Sequence, residues 1–114
     1  MIERIEHCKI ENINFIFMPD RNIRLLNIKY LNHHYPTDVI TFDYSQMNEI
    51  GGDIFIGLHT VKYYAHKNAI PYQKEIYRVM VHGVLHLAGY KDKSIRERNL
   101  MRRKEDFYLR KLYD

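Results

Sequence analysis

An α+β fold is predicted for this chain: a small mixed sheet packed against helices, with a buried central helix that carries a pair of histidines. Three observations predict it. Short β-branched and aromatic runs bounded by turn residues fall in the first half of the sequence, helical periodicity fills the second half, and the composition is that of a globular protein. The chain has 114 residues, of which 46% are hydrophobic and 28% charged. That supports one core and not two, so residues 1–114 read as a single domain. The same balance excludes a disordered tail or a fibre.

Taken in order, Asn14–Met18 (Asn-Phe-Ile-Phe-Met) reads as a buried strand stopped by Pro19-Asp20. Asp20 can cap a helix over about Arg21–Asn32, with Ile23, Leu26 and Tyr30 on one face. Val39–Tyr44 reads as a second strand. Gly51-Gly52 is a turn signal, and Asp53–Leu58 follows as a third strand, paired with the second in an antiparallel hairpin. A helix is expected over Thr60–Asn68. Pro71 fits the first turn of the next helix, which runs to Ala88 and is apolar nearly all round in its second half. Gly89 suits a left-handed C-cap. Ser94 and Glu97 have capping-box spacing and start a last helix, with Leu100, Met101, Phe107, Tyr108 and Leu112 as its apolar stripe.

The central helix holds the sharpest chemical signal. His82 and His86 are four apart, so on a helix they stack on one face, about 6 Å apart in rise. Two imidazoles at that spacing can chelate one cation, which also relieves the cost of burying them. Gly89 reverses the chain so that Asp92 can return as a third ligand. Two neutral nitrogens and a carboxylate make a catalytic zinc set with a fourth position left for water, and the set also suits Fe(II). His33 and His34 are adjacent and diverge on a helix, and with His7, His59 and His66 they read as surface or packing residues; His59 is the one that could lie near the site.

The spacing parallels the zinc-protease pattern, except that the protease base would stand at position 83, which is Gly83. Peptide hydrolysis by that route is therefore disfavoured, and no general base is identified. A phosphodiester is the better substrate, because positioning and charge neutralisation do more of the work there. Charge distribution agrees. Residues 1–90 carry nine basic and nine acidic side chains, whereas residues 91–114 carry nine basic and five acidic, so the whole excess of +4 lies beside the site. Such a segment attracts a polyanion, and Arg102 and Arg103 are expected to contact it. Residues 79–89 are too few and too polar to cross a bilayer, Met1–Met18 lacks a signal-peptide pattern, and the single Cys8 excludes an internal disulfide framework and suggests a reducing compartment.

Residues 82–90, His-Gly-Val-Leu-His-Leu-Ala-Gly-Tyr, resemble the signature of the YbeY-type endoribonucleases, which are bacterial rRNA maturation factors. Leu26-Asn27, Tyr30, Tyr35–Phe42, Gly52-Asp53-Ile54, Met101 and Glu105 resemble further stretches of that family in the same order, from about Asn14 to Lys111. The resemblance implies a cytoplasmic, metal-dependent, single-strand-specific endoribonuclease of an α+β fold. Its substrate would be RNA of the small ribosomal subunit, cut in 16S rRNA 3′-end processing and ribosome quality control, and its cofactor one Zn2+. His82 and His86 carry over directly. Asp92 stands where the family usually has a third histidine, and Leu31 where it commonly has an arginine, for which Lys91 or Lys93 would have to substitute. The segment before Asn14 is shorter than usual, so a shortened N-terminus is expected. Two other readings compete: a non-enzymatic RNA-binding assembly factor with a structural metal, and another zinc hydrolase.

Overall fold

In the computed structural model, residues 2, 6, 9–19, 21–23, 39–47 and 49–113 are described. Three strands, β1 (Lys9–Met18), β2 (Val39–Asp43) and β3 (Glu49–Gly57), form one sheet in the order β1-β3-β2. β1 runs parallel to β3 from Lys9↔Glu49 to Met18↔Gly57, with a bulge between Ile10 and Asn12. β2 runs antiparallel to β3, from Val39↔Ile56 to Asp43↔Gly52. The sheet is thus mixed, as the sequence predicts. Three helices follow: α1 (Leu58–Lys67), α2 (Tyr72–Leu87) and α3 (Ile95–Tyr113).

The hairpin is real, but its turn is not at Gly51-Gly52. Both glycines lie inside β3, and the chain reverses between Asp43 and Glu49. There the Asp43 carboxylate accepts from the Ser45 amide at 2.8 Å, Gln46 and Glu49 exchange backbone bonds of 2.9 and 2.8 Å, and Met47 takes a positive φ of 49°. Gly52 is required for space instead: a Cβ on it would meet the Phe42 carbonyl oxygen at 2.3 Å and Leu87 Cδ2 at 3.0 Å. β1 is also longer than its apolar half suggests. Its first residues alternate exposed and half-buried on an edge strand, and that pattern carries little hydrophobic signal.

α2 is apolar nearly all round because it packs on two sides. Val79, Val84 and Leu87 join Ile50, Ile54 and Ile56 of β3 and Val61 of α1 in one core cluster. Val81 and Leu85 join Met101 and Tyr108 of α3 in another. The inner face of α3 is therefore Met101, Glu105, Tyr108 and Leu109, all buried, whereas Leu100 and Leu112 of the expected stripe are exposed. Spacings of three and four from Met101 lead to Glu105 and Tyr108, and a carboxylate among them is invisible to a search for apolar residues.

Both ends of the α2–α3 connection follow their sequence signals. Gly89 adopts a φ of 107°, and Tyr90 and Gly89 donate to the carbonyls of Leu85 and His86 at 3.0 and 3.1 Å. That is the Schellman pattern, and the glycine carries the left-handed backbone without a Cβ clash. Ser94 Oγ accepts from the Glu97 amide at 3.1 Å while Glu97 Oε1 accepts from the Ser94 amide at 2.9 Å, which completes the capping box. Glu6 fastens the N-terminal segment to this region, accepting from Tyr90, Tyr108 and Lys104. The expected helix over Arg21–Asn32 is helical at residues 21–23, with Ile23 buried, and its remainder lies outside the described residues. So do His7, Cys8, Leu31, His33, His34 and the Tyr35–Asp38 stretch.

Candidate metal centre

At about 100° per residue, Val79, Gly83 and Leu87 share the sector of α2 that faces the sheet, and Val81 and Leu85 share the sector facing α3. Glu75, His82 and His86 occupy the remaining sector between them. Periodicity thus forces the two imidazoles out of both cores and into the seam where α2, the Gly89 bend and α3 meet. Position 83 belongs to the sheet-facing sector, where a Cβ would come within 2.8 Å of Ile54 Cγ2 and 2.9 Å of its Cδ1. A base at this position would point into the core, away from the imidazoles.

Ligand atoms of His82, His86 and Asp92 all lie within 4.8 Å of one another. His82 Nε2 stands 3.3 Å from Asp92 Oδ2, and His86 Nε2 stands 3.3 Å from Asp92 Oδ1. Those separations are long for a charge-assisted hydrogen bond. They leave the three groups close enough to hold one small cation in common. The sequence expectation that Gly89 returns Asp92 toward the histidines therefore agrees with the geometry.

A residue with no assigned role in the sequence reading fixes the chemistry of His82. Glu105 Oε2 lies 2.6 Å from His82 Nδ1. A carboxylate is an acceptor only, so Nδ1 carries the hydrogen and Nε2 presents its lone pair to Asp92. Two acceptors then face each other at 3.3 Å, an arrangement that is favourable only with positive charge between them, either a cation or a proton on the imidazole. Glu105 is itself held by Arg78, whose Nη1 donates to Oε1 at 2.9 Å and whose Nη2 donates to Asp106 at 2.6 Å. Burial works to lower the Arg78 pKa, but the hydrogen bonds to Asp106 and Glu105 outweigh it and leave the guanidinium above its ordinary value. The donor set and the oriented imidazole fit a divalent metal cation.

The cluster opens on a cleft of about 400 Å³ whose walls include Glu75, Arg78, Arg98, Arg102 and Glu105. Arg102 lines it as expected. Arg103 does not: one residue further along α3, it turns to a separate groove with Leu100, Phe107 and Arg110. Lys91 and Lys93, considered as substitutes for a family arginine, are not among the cleft residues; Arg98 is, and its Nη1 donates to the Lys93 carbonyl at 2.6 Å. His59 and His66 are exposed on α1, and neither joins the cluster among the described residues. The sequence signal that could have found Arg98, Arg102 and Glu105 together is their spacing of four and three on one helix face.

The family described as Endoribonuclease YbeY matches residues 2–113. This chain belongs to that family. Two proteins named Endoribonuclease YbeY illustrate the relation. The one from Flavobacterium psychrophilum is 51% identical over 94 residues, covering 82% of this chain and 67% of the relative. The one from Karelsulcia muelleri is 48% identical over 104 residues, covering 91% and 74%. Among solved structures, the solution structure of TM1509 from Thermotoga maritima superposes with a TM-score of 0.66 at 28% identity, covering 95% of this chain and 71% of that one. The YbeY family is thus the source of the α+β arrangement as well as of the signature around His82. It is a family of nucleases, and so of hydrolases.

Proposed function

We propose that residues 1–114 form one YbeY-type domain, a metal-dependent endoribonuclease that cuts single-stranded RNA of the small ribosomal subunit, at the 3′ end of 16S rRNA, in the cytoplasm. Its cofactor in this reading is one Zn2+ held by His82, His86 and Asp92. The observation that carries the reading is the convergence of these three groups, two of which (His82 and Asp92) line a cleft together with Arg78, Arg98 and Arg102, in a chain whose relatives are named as endoribonucleases. No helix among the described residues is long and apolar enough to cross a membrane.

When bound, the cation would supply charge against a phosphodiester oxygen and acidity to a water molecule. The protein's own groups do the rest. Glu105 keeps the Nδ1 hydrogen of His82 and so holds the imidazole in one tautomer. Arg78 holds Glu105 in place. Asp92 and His86 close the set from either side of the Gly89 bend. Asp92 in place of a third histidine adds one negative charge, so the site retains a cation more by charge and acidifies water less than three imidazoles would.

Metal content and cleavage test this together. Asp92→Ala is expected to lower the zinc content while the fold stays intact, because the Asp92 carboxylate is 37% exposed and faces the two imidazoles. Unchanged zinc content would remove Asp92 from the set. Zinc-loaded protein is expected to cleave a single-stranded RNA and to leave casein intact. Casein cut while RNA survives would make the protein another hydrolase. His86→Ala that loses metal and fold together, with no cleavage by the intact protein, would make the metal structural.

A further inference from the structure

Three arginines and three carboxylates line the cleft, so it is close to neutral until a divalent ion binds and positive afterwards. The three arginines are not equivalent. Arg78 is committed to Glu105 and Asp106, with its side chain 13% exposed. Arg98 and Arg102 sit one turn apart on α3, both on the solvent side of the cleft. Arg102 is 61% exposed, and its ion pair with Glu105 is long at 3.8 Å. Its guanidinium thus retains donors that can turn to an anion in the cleft, in the fork geometry that suits a phosphate.

Position decides which phosphate. Arg102 Nη1 lies against Glu105 Oε1, and Glu105 Oε2 lies on Nδ1 of His82, the nitrogen turned away from Asp92. Arg102 shares the cleft with His82 and Asp92 but reaches it through Glu105, on the Nδ1 side of His82 and not on the Nε2 side that faces Asp92. We propose that Arg98 and Arg102 form a phosphate subsite next to the metal centre, which grips the phosphodiester adjoining the one to be cleaved, with Arg102 as its main positioning residue. The subsite rests on the reading that the substrate is RNA. It assigns to one face of α3 a role that net charge alone would spread over every basic residue of the helix, Arg103 included.

The test measures binding of a nuclease-resistant 2′-O-methyl hexauridylate to the zinc-loaded protein over a series of salt concentrations. Arg102→Gln should weaken binding about tenfold and reduce the slope of log affinity against log salt by about 0.7, the value for one phosphate contact on a single strand. Zinc stoichiometry and thermal midpoint should stay at wild-type values. Arg102→Lys should keep the slope and lose part of the affinity, since the charge remains and the fork is gone. Arg103→Gln should match wild type in both quantities. Wild-type affinity and slope in Arg102→Gln, or an equal loss in Arg103→Gln, overturns the subsite and moves the strand to the outer face of α3. Failure of the wild-type protein itself to bind the oligonucleotide overturns the RNA reading beneath it.

Discussion

Replacing Glu105 by glutamine isolates the support of His82, because it keeps the shape of the side chain and removes its charge. Glu105 is 5% exposed and accepts from two donors, Arg78 at 2.9 Å and His82 at 2.6 Å. A glutamine offers one acceptor oxygen and one NH2: with the oxygen turned to Arg78, its NH2 faces Nδ1 of His82, and only the tautomer with its hydrogen on Nε2 can accept from it. One hydrogen bond to a charged group is lost, worth about 1.5–3 kcal/mol. Arg78 keeps its contact with Asp106 at 2.6 Å, so the lower half of that range applies, about 2 kcal/mol. At roughly 4 °C per kcal/mol for a chain of this size, the thermal midpoint of metal-free protein should fall by about 8 °C. Zinc affinity should fall by about 10–100-fold, because the imidazole is no longer held in the ligating tautomer. Circular dichroism melting and titration against a competing chelator read the two effects separately. The double variant R78M/E105L sharpens the distinction: an apolar pair should recover most of the stability and none of the zinc affinity. Wild-type zinc binding in either Glu105→Gln or the double variant would refute the claim that Glu105 orients His82.

Two further outcomes follow from other parts of the structure. Gly83→Ala places a methyl 2.8 Å from Ile54 and should cost about 1–3 kcal/mol, partly recovered in combination with Ile54→Ala; a variant as stable as wild type in urea would show that α2 can lift from the sheet freely. Burial alone would raise the Glu6 pKa, but hydrogen bonds from Tyr108, Tyr90 and Lys104 outweigh it and hold the folded value below the ordinary 4.5. The ionised carboxylate therefore adds stability that is present in full above 4.5 and is lost as pH falls through the lower folded value. The gap in urea midpoint between wild type and Glu6→Gln should close on acidification, and a gap independent of pH would contradict the assignment.

Sequence by itself determined the α+β class, the antiparallel hairpin, both ends of the α2–α3 connection and the pairing of His82 with His86. These rest on local chemistry: alternation along a strand, four-residue spacing on a helix, a glycine at a left-handed bend and a reciprocal Ser94–Glu97 cap. Each signal is complete within a few residues, so no knowledge of the rest of the chain is needed to read it. Tertiary structure alone decided that Gly51-Gly52 lies within β3, since the space there is limited by Asn12 at Gly51 and by Phe42 and Leu87 at Gly52, none of them a local neighbour in sequence. It alone brought Glu105 and Arg78 to the far side of His82, across the α2–α3 interface, and separated Arg102 in the cleft from Arg103 outside it. Those assignments depend on how two helices are rotated against each other, and that rotation is set by the packing of Val81, Leu85, Met101 and Tyr108.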